Sequence, residues 1–132
     1  MKPAYTSKLA GVTYLVRDYD EAIQWFVAVL GFTVLEDSKL SETKRWVRVA
    51  DKGGGACLVL AKADNALQQQ AVGQAAGGRV AFFLHTDDFA SLHAHMLQAG
   101  VVFREQPRHE SYGTVAVFED LYGNGWDLIE SR

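Results

Sequence analysis

The residues best suited to ligand chemistry in the N-terminal half lie on one predicted strand. Lys44, Arg45, Trp46 and Arg48 place three cations and an indole in one short segment. Because successive side chains of a strand point to opposite faces, Trp46 and Arg48 share one face and Arg45 takes the other. An aromatic ring beside a cation suits a planar or anionic organic ligand, although Trp46 suits an ordinary core position equally well.

A second candidate group lies on the first strand of the C-terminal half. The apolar residues Val80, Phe82 and Leu84 alternate along this strand, which predicts that they face the core. Arg79 and His85 then share the opposite face. His85 is a candidate general base or hydrogen-bond donor there. The alternative is a strand-end histidine whose ring is satisfied by backbone or water.

Polar residues also concentrate in the predicted loop from Pro107 to Gly113. This loop contains Arg108, His109, Glu110 and Tyr112. Loops of this kind can close over a binding site, and we therefore count Tyr112 among the candidate ligand contacts. The alternative is a loop whose charges are solvated and have no role in binding.

Several motifs that resemble catalytic sites are excluded by their spacing. His109-Glu110 lacks the second histidine of a zinc-protease helix, and the Gly53–Gly55 run lacks the Lys-Ser/Thr of a phosphate loop. His93 and His95 are two residues apart on a predicted helix, so their side chains diverge and do not share a metal. The single cysteine, Cys57, has apolar neighbours and is predicted to be a buried, unreactive thiol.

The bulk composition excludes two classes of partner. The chain has 132 residues, is 48% hydrophobic and 22% charged, and carries a net charge of −3. This charge provides no field that gathers phosphates, so we expect neither nucleic acid nor a membrane surface as a partner. No apolar run approaches the ~20 residues that span a bilayer, and the N-terminus lacks the apolar region of a signal peptide. We expect a cytoplasmic protein of one domain.

The elements that would position these residues occur twice. In the first half, a strand from Val12 precedes a helix that Asp18 caps and Gly31 ends, and strands follow at 32–36, 45–50 and 56–61. In the second half, a strand from Val80 precedes a helix capped by Asp87-Asp88. That helix closes at Gly100, and strands follow at 101–105, 114–119 and 126–130.

The two halves are therefore copies of one βαβββ unit, offset by about 69 residues. We expect one α+β domain over residues 1–132, with module one at about 9–63, a linker at about 64–78 and module two at about 79–132. Each module alone offers one helix for one face of a four-stranded sheet, which is too little for independent stability. The two sheets must share one structure.

Ordered motifs in both halves resemble a known family. The opening Val16–Ala22 segment, the helix end Leu30-Gly31-Phe32 and the closing Asp120–Leu128 segment are similar to those of the vicinal oxygen chelate superfamily, which includes glyoxalases, bleomycin resistance proteins and dioxygenases. The resemblance implies tandem βαβββ modules that form a curved mixed sheet around a central cleft. It also implies a small-molecule ligand in that cleft and a homodimer.

The same resemblance implies a divalent metal held by His, Gln or Glu on the first and last strands of each module. Gly11 and Val59 occupy two of these positions and have no donor atom. A third position falls at Arg79 or Val80, and only Asp127 keeps a carboxylate. One carboxylate is not a metal site, so we expect no cofactor, and a divalent metal is disfavoured. Arg79 and Asp127 would then form a salt bridge, or Arg79 would hold an anionic ligand that Asp127 orients.

Three functions remain open at this level. The first is a binding protein that holds a small anionic or aromatic molecule in its cleft without a complete metal site. The second is a glyoxalase-like lyase or dioxygenase-type enzyme, with an atypical metal on Asp127 and Glu119 or with His85 as a base and no metal. The third is a domain whose cleft is packed shut and whose surface contacts another protein. The missing donors at Gly11 and Val59 favour the first.

Overall fold

Each half of the chain forms one four-stranded sheet with a helix on one side. The computed structural model describes residues 4–132. In each sheet the first and last strands of the module lie side by side in parallel, and the other pairs are antiparallel. The strand orders are β1-β4-β3-β2 and β5-β8-β7-β6. The elements are β1 (Val12–Val16), α1 (Tyr19–Leu30), β2 (Thr33–Lys39), β3 (Arg45–Ala50), β4 (Cys57–Lys62), α2 (Ala66–Ala71), β5 (Val80–His85), α3 (Phe89–Gln98), β6 (Arg108–Glu110), β7 (Gly113–Glu119) and β8 (Gly125–Ser131).

The two long helices begin and end where local chemistry predicts. The Asp18 carboxylate accepts a hydrogen bond from the Glu21 amide at 2.9 Å and caps α1. Gly31 ends that helix with φ of 69°, a left-handed conformation that favours glycine. At α3 the capping residue is Asp88 rather than its neighbour Asp87, because the Asp88 carboxylate accepts from the Ser91 amide.

One predicted strand is wrong. Residues 101–105 form no strand, and only Phe103 makes a single bridge to Phe118 on β7. The Glu105 carboxylate accepts from the Val117 amide at 2.9 Å, so a side chain takes the place of a backbone partner there. Pro107 has no amide hydrogen with which to continue the pairing. The outer strand of this sheet is β6, which lies inside the predicted polar loop.

Aromatic side chains on the helix-facing sides of both sheets form one continuous core. The ring of Phe26 on α1 contacts Tyr14 of module one with centroids 5.2 Å apart and Trp126 of module two at 6.2 Å. Tyr14 also contacts Phe82 on β5 at 5.7 Å. Buried aromatic area of this kind contributes much of a small domain's stability. The two modules are therefore held together through their helix-facing sides.

A buried carboxylate joins the two modules at the edge of this core. Asp120, in the β7–β8 turn, is only 6% exposed. It accepts from the Tyr14 hydroxyl at 2.7 Å, from the Trp126 indole at 2.9 Å and from both the backbone and side-chain nitrogens of Asn124. Burial, together with the negative charge of Asp120, raises the pKa of Tyr14 far above its usual value. We call Asp120, Tyr14, Asn124 and Trp126 the Asp120 clasp.

We expect the clasp to dominate the stability of the module junction. Tyr14→Phe should lower the free energy of unfolding by about 1–2 kcal/mol, because one hydrogen bond to a charged acceptor is lost. Asp120→Ala should lower it by about 3 kcal/mol, because several buried donors lose their acceptor at once. Urea unfolding followed by circular dichroism measures both. The matched control is Tyr112→Phe, on a half-exposed ring, and equal stability of Tyr14→Phe and wild type would contradict this account.

Candidate functional site

Each sheet has an open face on the side opposite the helices. Strand pairing identifies the side chains that share it, because residues directly opposite each other in a ladder point to the same face. Face one, on the sheet of module one, comprises Thr13, Glu36, Trp46, Arg48 and Val59. Face two, on the sheet of module two, comprises Phe83, His85, Val115, Val117, Asp127 and Ile129.

Face one carries a fixed aromatic and cationic pair. One oxygen of Glu36 accepts from the Trp46 indole nitrogen at 3.0 Å and from Arg48 Nε at 3.2 Å. Trp46 is 39% exposed, so it is not a core residue. Arg48 Nη1 also lies 3.9 Å from the sulfur of buried Cys57, and this contact and the Glu36 contact raise the pKa of Arg48. Glu36 therefore orients both groups that a ligand on face one would meet.

Arg45 lies on the helix-facing side of the same strand, as alternation predicts. Its guanidinium pairs with Asp37 at 2.7 Å and with Asp20 at 2.9 Å, and stacks on the Tyr19 ring at 5.1 Å from the centroid. These contacts tie β2 and β3 to α1. Arg45 is a structural residue and takes no part in face one.

Face two is centred on Asp127. In the β5–β8 and β7–β8 ladders Asp127 pairs with Phe83 on one side and Val117 on the other. Within residues 4–132 its carboxylate forms no hydrogen bond or ion pair. Partial burial raises the pKa of Asp127, the nearby charge of Arg108 lowers it, and Glu105 raises it. A carboxylate with apolar neighbours and no donor is poorly solvated.

A bulge in β5 decides between Arg79 and Val80, the two residues that the sequence offered for the first-strand position of module two. Val80 pairs with Gly125 and Phe82 pairs with Trp126, so Ala81 is an extra residue in the ladder. Because of this extra residue, the side chains before Phe82 point to the opposite face from the one that strict alternation predicts. Val80, rather than Arg79, therefore occupies the position equivalent to Gly11 in module one.

Arg79 itself precedes β5 and is exposed. Among residues 4–132 Arg79 forms no salt bridge with Asp127. A contact between Arg79 and a ligand stays a prediction.

The remaining candidates lie on or beside face two. His85 is exposed at the end of β5, opposite Ile129. Tyr112 is 54% exposed in the β6–β7 turn, next to Arg108. The structure thus brings His85 and Asp127 onto one face and Trp46 and Arg48 onto another. It does not bring all four residues together within one chain.

Sequence reasoning missed the ion pairs that frame face two. Arg104 lies over Gly125 and pairs with Glu119 at 3.0 Å. Arg108 pairs with Glu105 at 2.7 Å and with Glu110 at 2.9 Å. The short spacing of Glu105, Arg108 and Glu110 is a signal that was visible in the sequence. The Arg104–Glu119 pair, like the Glu36 contacts of face one, depends on strand register.

Comparison with known proteins identifies the family. The model of the Glyoxalase/Bleomycin resistance protein/Dioxygenase superfamily matches residues 8–128. The chain belongs to this superfamily. An uncharacterized protein of Shewanella frigidimarina is 47% identical over 121 residues, which cover 90% of each chain.

Two solved structures of similar proteins support the same fold. UcmS2 is 30% identical, with a TM-score of 0.80 over 95% of this chain and 98% of its own. TnmS3, described as an antibiotic binding protein from Streptomyces sp. CB03234, is 24% identical, with a TM-score of 0.74 over 97% of this chain and 99% of its own. The match to the family model confirms the predicted family, and the similarity to these structures confirms the predicted fold. Among residues 4–132, no helix is both long and apolar enough to cross a membrane.

The metal chemistry of this superfamily does not fit the residues of this member. Gly11, Val59 and Val80 have no donor atoms, and Asp127 alone offers a carboxylate at such a position. A Cβ at Gly11 would stand 3.1 Å from the carbonyl oxygen of Cys57, so a ligand side chain would also be crowded there. Within the described residues, no three His, Cys, Asp or Glu side chains form a group that could hold a metal.

We expect Glu36→Gln to loosen Trp46 and Arg48 without unfolding the sheet. The neutral amide is a weaker acceptor than the carboxylate. The indole N–H resonance of Trp46, assigned by its loss in Trp46→Phe, should move upfield and exchange faster with water in NMR spectra. The matched control is Glu42→Gln, on an exposed glutamate that pairs with Lys39. An unchanged Trp46 resonance would show that Glu36 does not hold the ring.

Proposed function

We propose that this protein binds a small organic molecule on faces one and two without a metal ion. The observation that carries the proposal is that each face presents an exposed aromatic ring beside a charged side chain. Trp46 is fixed through Glu36 on face one, and Phe83, at 63% exposure, adjoins Asp127 on face two. Large aromatic side chains of this kind are costly to leave in water and are common in ligand sites.

The solved structures support the same function at the level of the scaffold. TnmS3 is described as an antibiotic binding protein, and it shares this fold over nearly its whole length. The fold is thus compatible with an organic ligand. The identity of this protein's own ligand depends on the side chains of faces one and two, because one fold serves many functions.

We propose further that the working unit is a homodimer. A ligand on face one of a single chain meets only part of the candidate residues, because His85 and Asp127 lie on the other sheet. A second copy whose face two covers face one of the first would enclose the ligand between Trp46 and Phe83. Two such sites arise from one twofold axis, which is the commonest symmetry of protein oligomers.

We expect a flat, neutral aromatic probe, 2-naphthol, to bind these faces. In a titration followed by ¹⁵N NMR, the shifted amides should belong to β3, β4, β5 and β8. Trp46→Ala and Phe83→Ala should each raise the dissociation constant by about tenfold, because each removes one aromatic contact surface. The matched control is Leu67→Ala, on an apolar side chain of α2 that is 77% exposed.

The dimer is tested on the same sample by sedimentation equilibrium, which should give the mass of two chains.

Binding of 2-naphthol only to surfaces outside faces one and two would contradict the proposed site. So would an equal loss of affinity in Leu67→Ala.

A further inference from the structure

Three of the cations on and beside the two faces, Arg48, Arg104 and Arg108, already have carboxylate partners. A ligand carboxylate or phosphate that approached any of these guanidinium groups would compete with a bound glutamate. The existing pairs are Arg48 with Glu36, Arg104 with Glu119, and Arg108 with Glu105 and Glu110. An anionic ligand would therefore gain little from these faces.

Asp127 is the charge on face two that the described residues leave without a partner. Its neighbours on the adjacent strands are Phe83 and Val117, whose side chains have no hydrogen-bond donor. Apart from His85, the charged groups on and around face two are three guanidinium groups and four carboxylates. The guanidinium groups are those of Arg104, Arg108 and the exposed Arg79 that precedes β5, and the carboxylates are those of Glu105, Glu110, Glu119 and Asp127. The field at face two is negative.

The aromatic ring beside Asp127 also favours a positively charged ligand. Phe83 stands on β5 directly opposite Asp127, and most of its surface is exposed. The face of an aromatic ring attracts a cation, and the attraction grows as water is excluded. A carboxylate and an exposed ring side by side can hold a positively charged nitrogen and the apolar body to which it is attached.

We propose that the molecule bound by this protein is an organic cation, an amine or quaternary ammonium on an apolar or aromatic body, with its nitrogen at Asp127 and its body against Phe83. The proposal rests on the proposed function and specifies its ligand class. It replaces the anionic ligand that the sequence suggested when Arg79 was assigned to this face.

The test compares probes of similar size and opposite charge. Benzyltrimethylammonium and phenylacetate are titrated into the full-length protein at low ionic strength, and affinity is read from ¹⁵N NMR shifts of β5, β7 and β8. The ammonium should bind about five- to tenfold more tightly than phenylacetate, the range expected for one ion pair supported by a cation–π contact.

Substitution at Asp127 should remove this preference. Asp127→Asn should reduce affinity for the ammonium by about five- to tenfold and should remove its advantage over phenylacetate. Asp87→Asn is the matched control, because it removes the same charge in the β5–α3 loop. Asp127→Ser serves as a second variant, and the dispersion of the NMR spectrum verifies that each variant is folded.

The outcomes separate this proposal from the proposed function. If none of the three probes shifts residues of faces one and two, the proposed function is wrong. If 2-naphthol binds there but phenylacetate binds as tightly as the ammonium, or if Asp127→Asn keeps the preference, the ligand class is wrong. If Asp127→Asn halves the sedimentation mass without changing the charge preference, Asp127 is a partner of the second copy instead, and the proposal is overturned.

Discussion

The carboxylate of Asp120 lies where β1 of module one meets the β7–β8 turn of module two. A buried carboxylate is tolerated only where donors surround it, and Asp120 receives them from Tyr14 in one module and from Asn124 and Trp126 in the other. The side chain of Trp126 must therefore point to the core. Because alternate residues of a strand point to opposite faces, Asp127 must point to the open face. The orientation of the candidate site thus follows from the clasp.

The modules and helices were predictable because their signals are local. Asp18 as a cap and Gly31 as a left-handed terminator act through their own backbone geometry, so the printed sequence was enough. The bulge at Ala81 has no such signal, since one extra residue does not change the apolar pattern that follows it. The outer strand of the second sheet was misplaced for a similar reason. The Glu105 carboxylate accepts the hydrogen bond of the Val117 amide in place of a backbone carbonyl there. A contact of this kind depends on the three-dimensional structure and leaves no local pattern in the sequence.

The candidate site was predictable only in part. Alternation correctly separated Trp46 and Arg48 from Arg45. Alternation could not predict the contact between Glu36 and Trp46. This contact crosses the β2–β3 pair, whose register shifts between Val34 and Glu36. The sequence left either Arg79 or Val80 at a former metal position and suggested an anionic or aromatic ligand, and the register of β5 selects Val80. Ligand charge depends on which ion pairs form across strands, and the sequence does not reveal those pairs.

In this superfamily member the scaffold is retained while most of the metal donors are absent. Gly11, Val59 and Val80 hold three of the positions that would ligate a metal, and Asp127 remains. An aspartate in these apolar surroundings is suited to a cationic group on the ligand. The missing donors and the proposed preference for a cation therefore concern the same set of positions. Three of these positions lack a donor atom, and the fourth carries the carboxylate of Asp127.

Native mass spectrometry of the protein purified without chelator tests the central claim most directly, because one spectrum reports metal, ligand and chain number. The account predicts the mass of two chains, with any added mass belonging to an organic molecule and none to a metal. A stoichiometric divalent metal on each chain would contradict it.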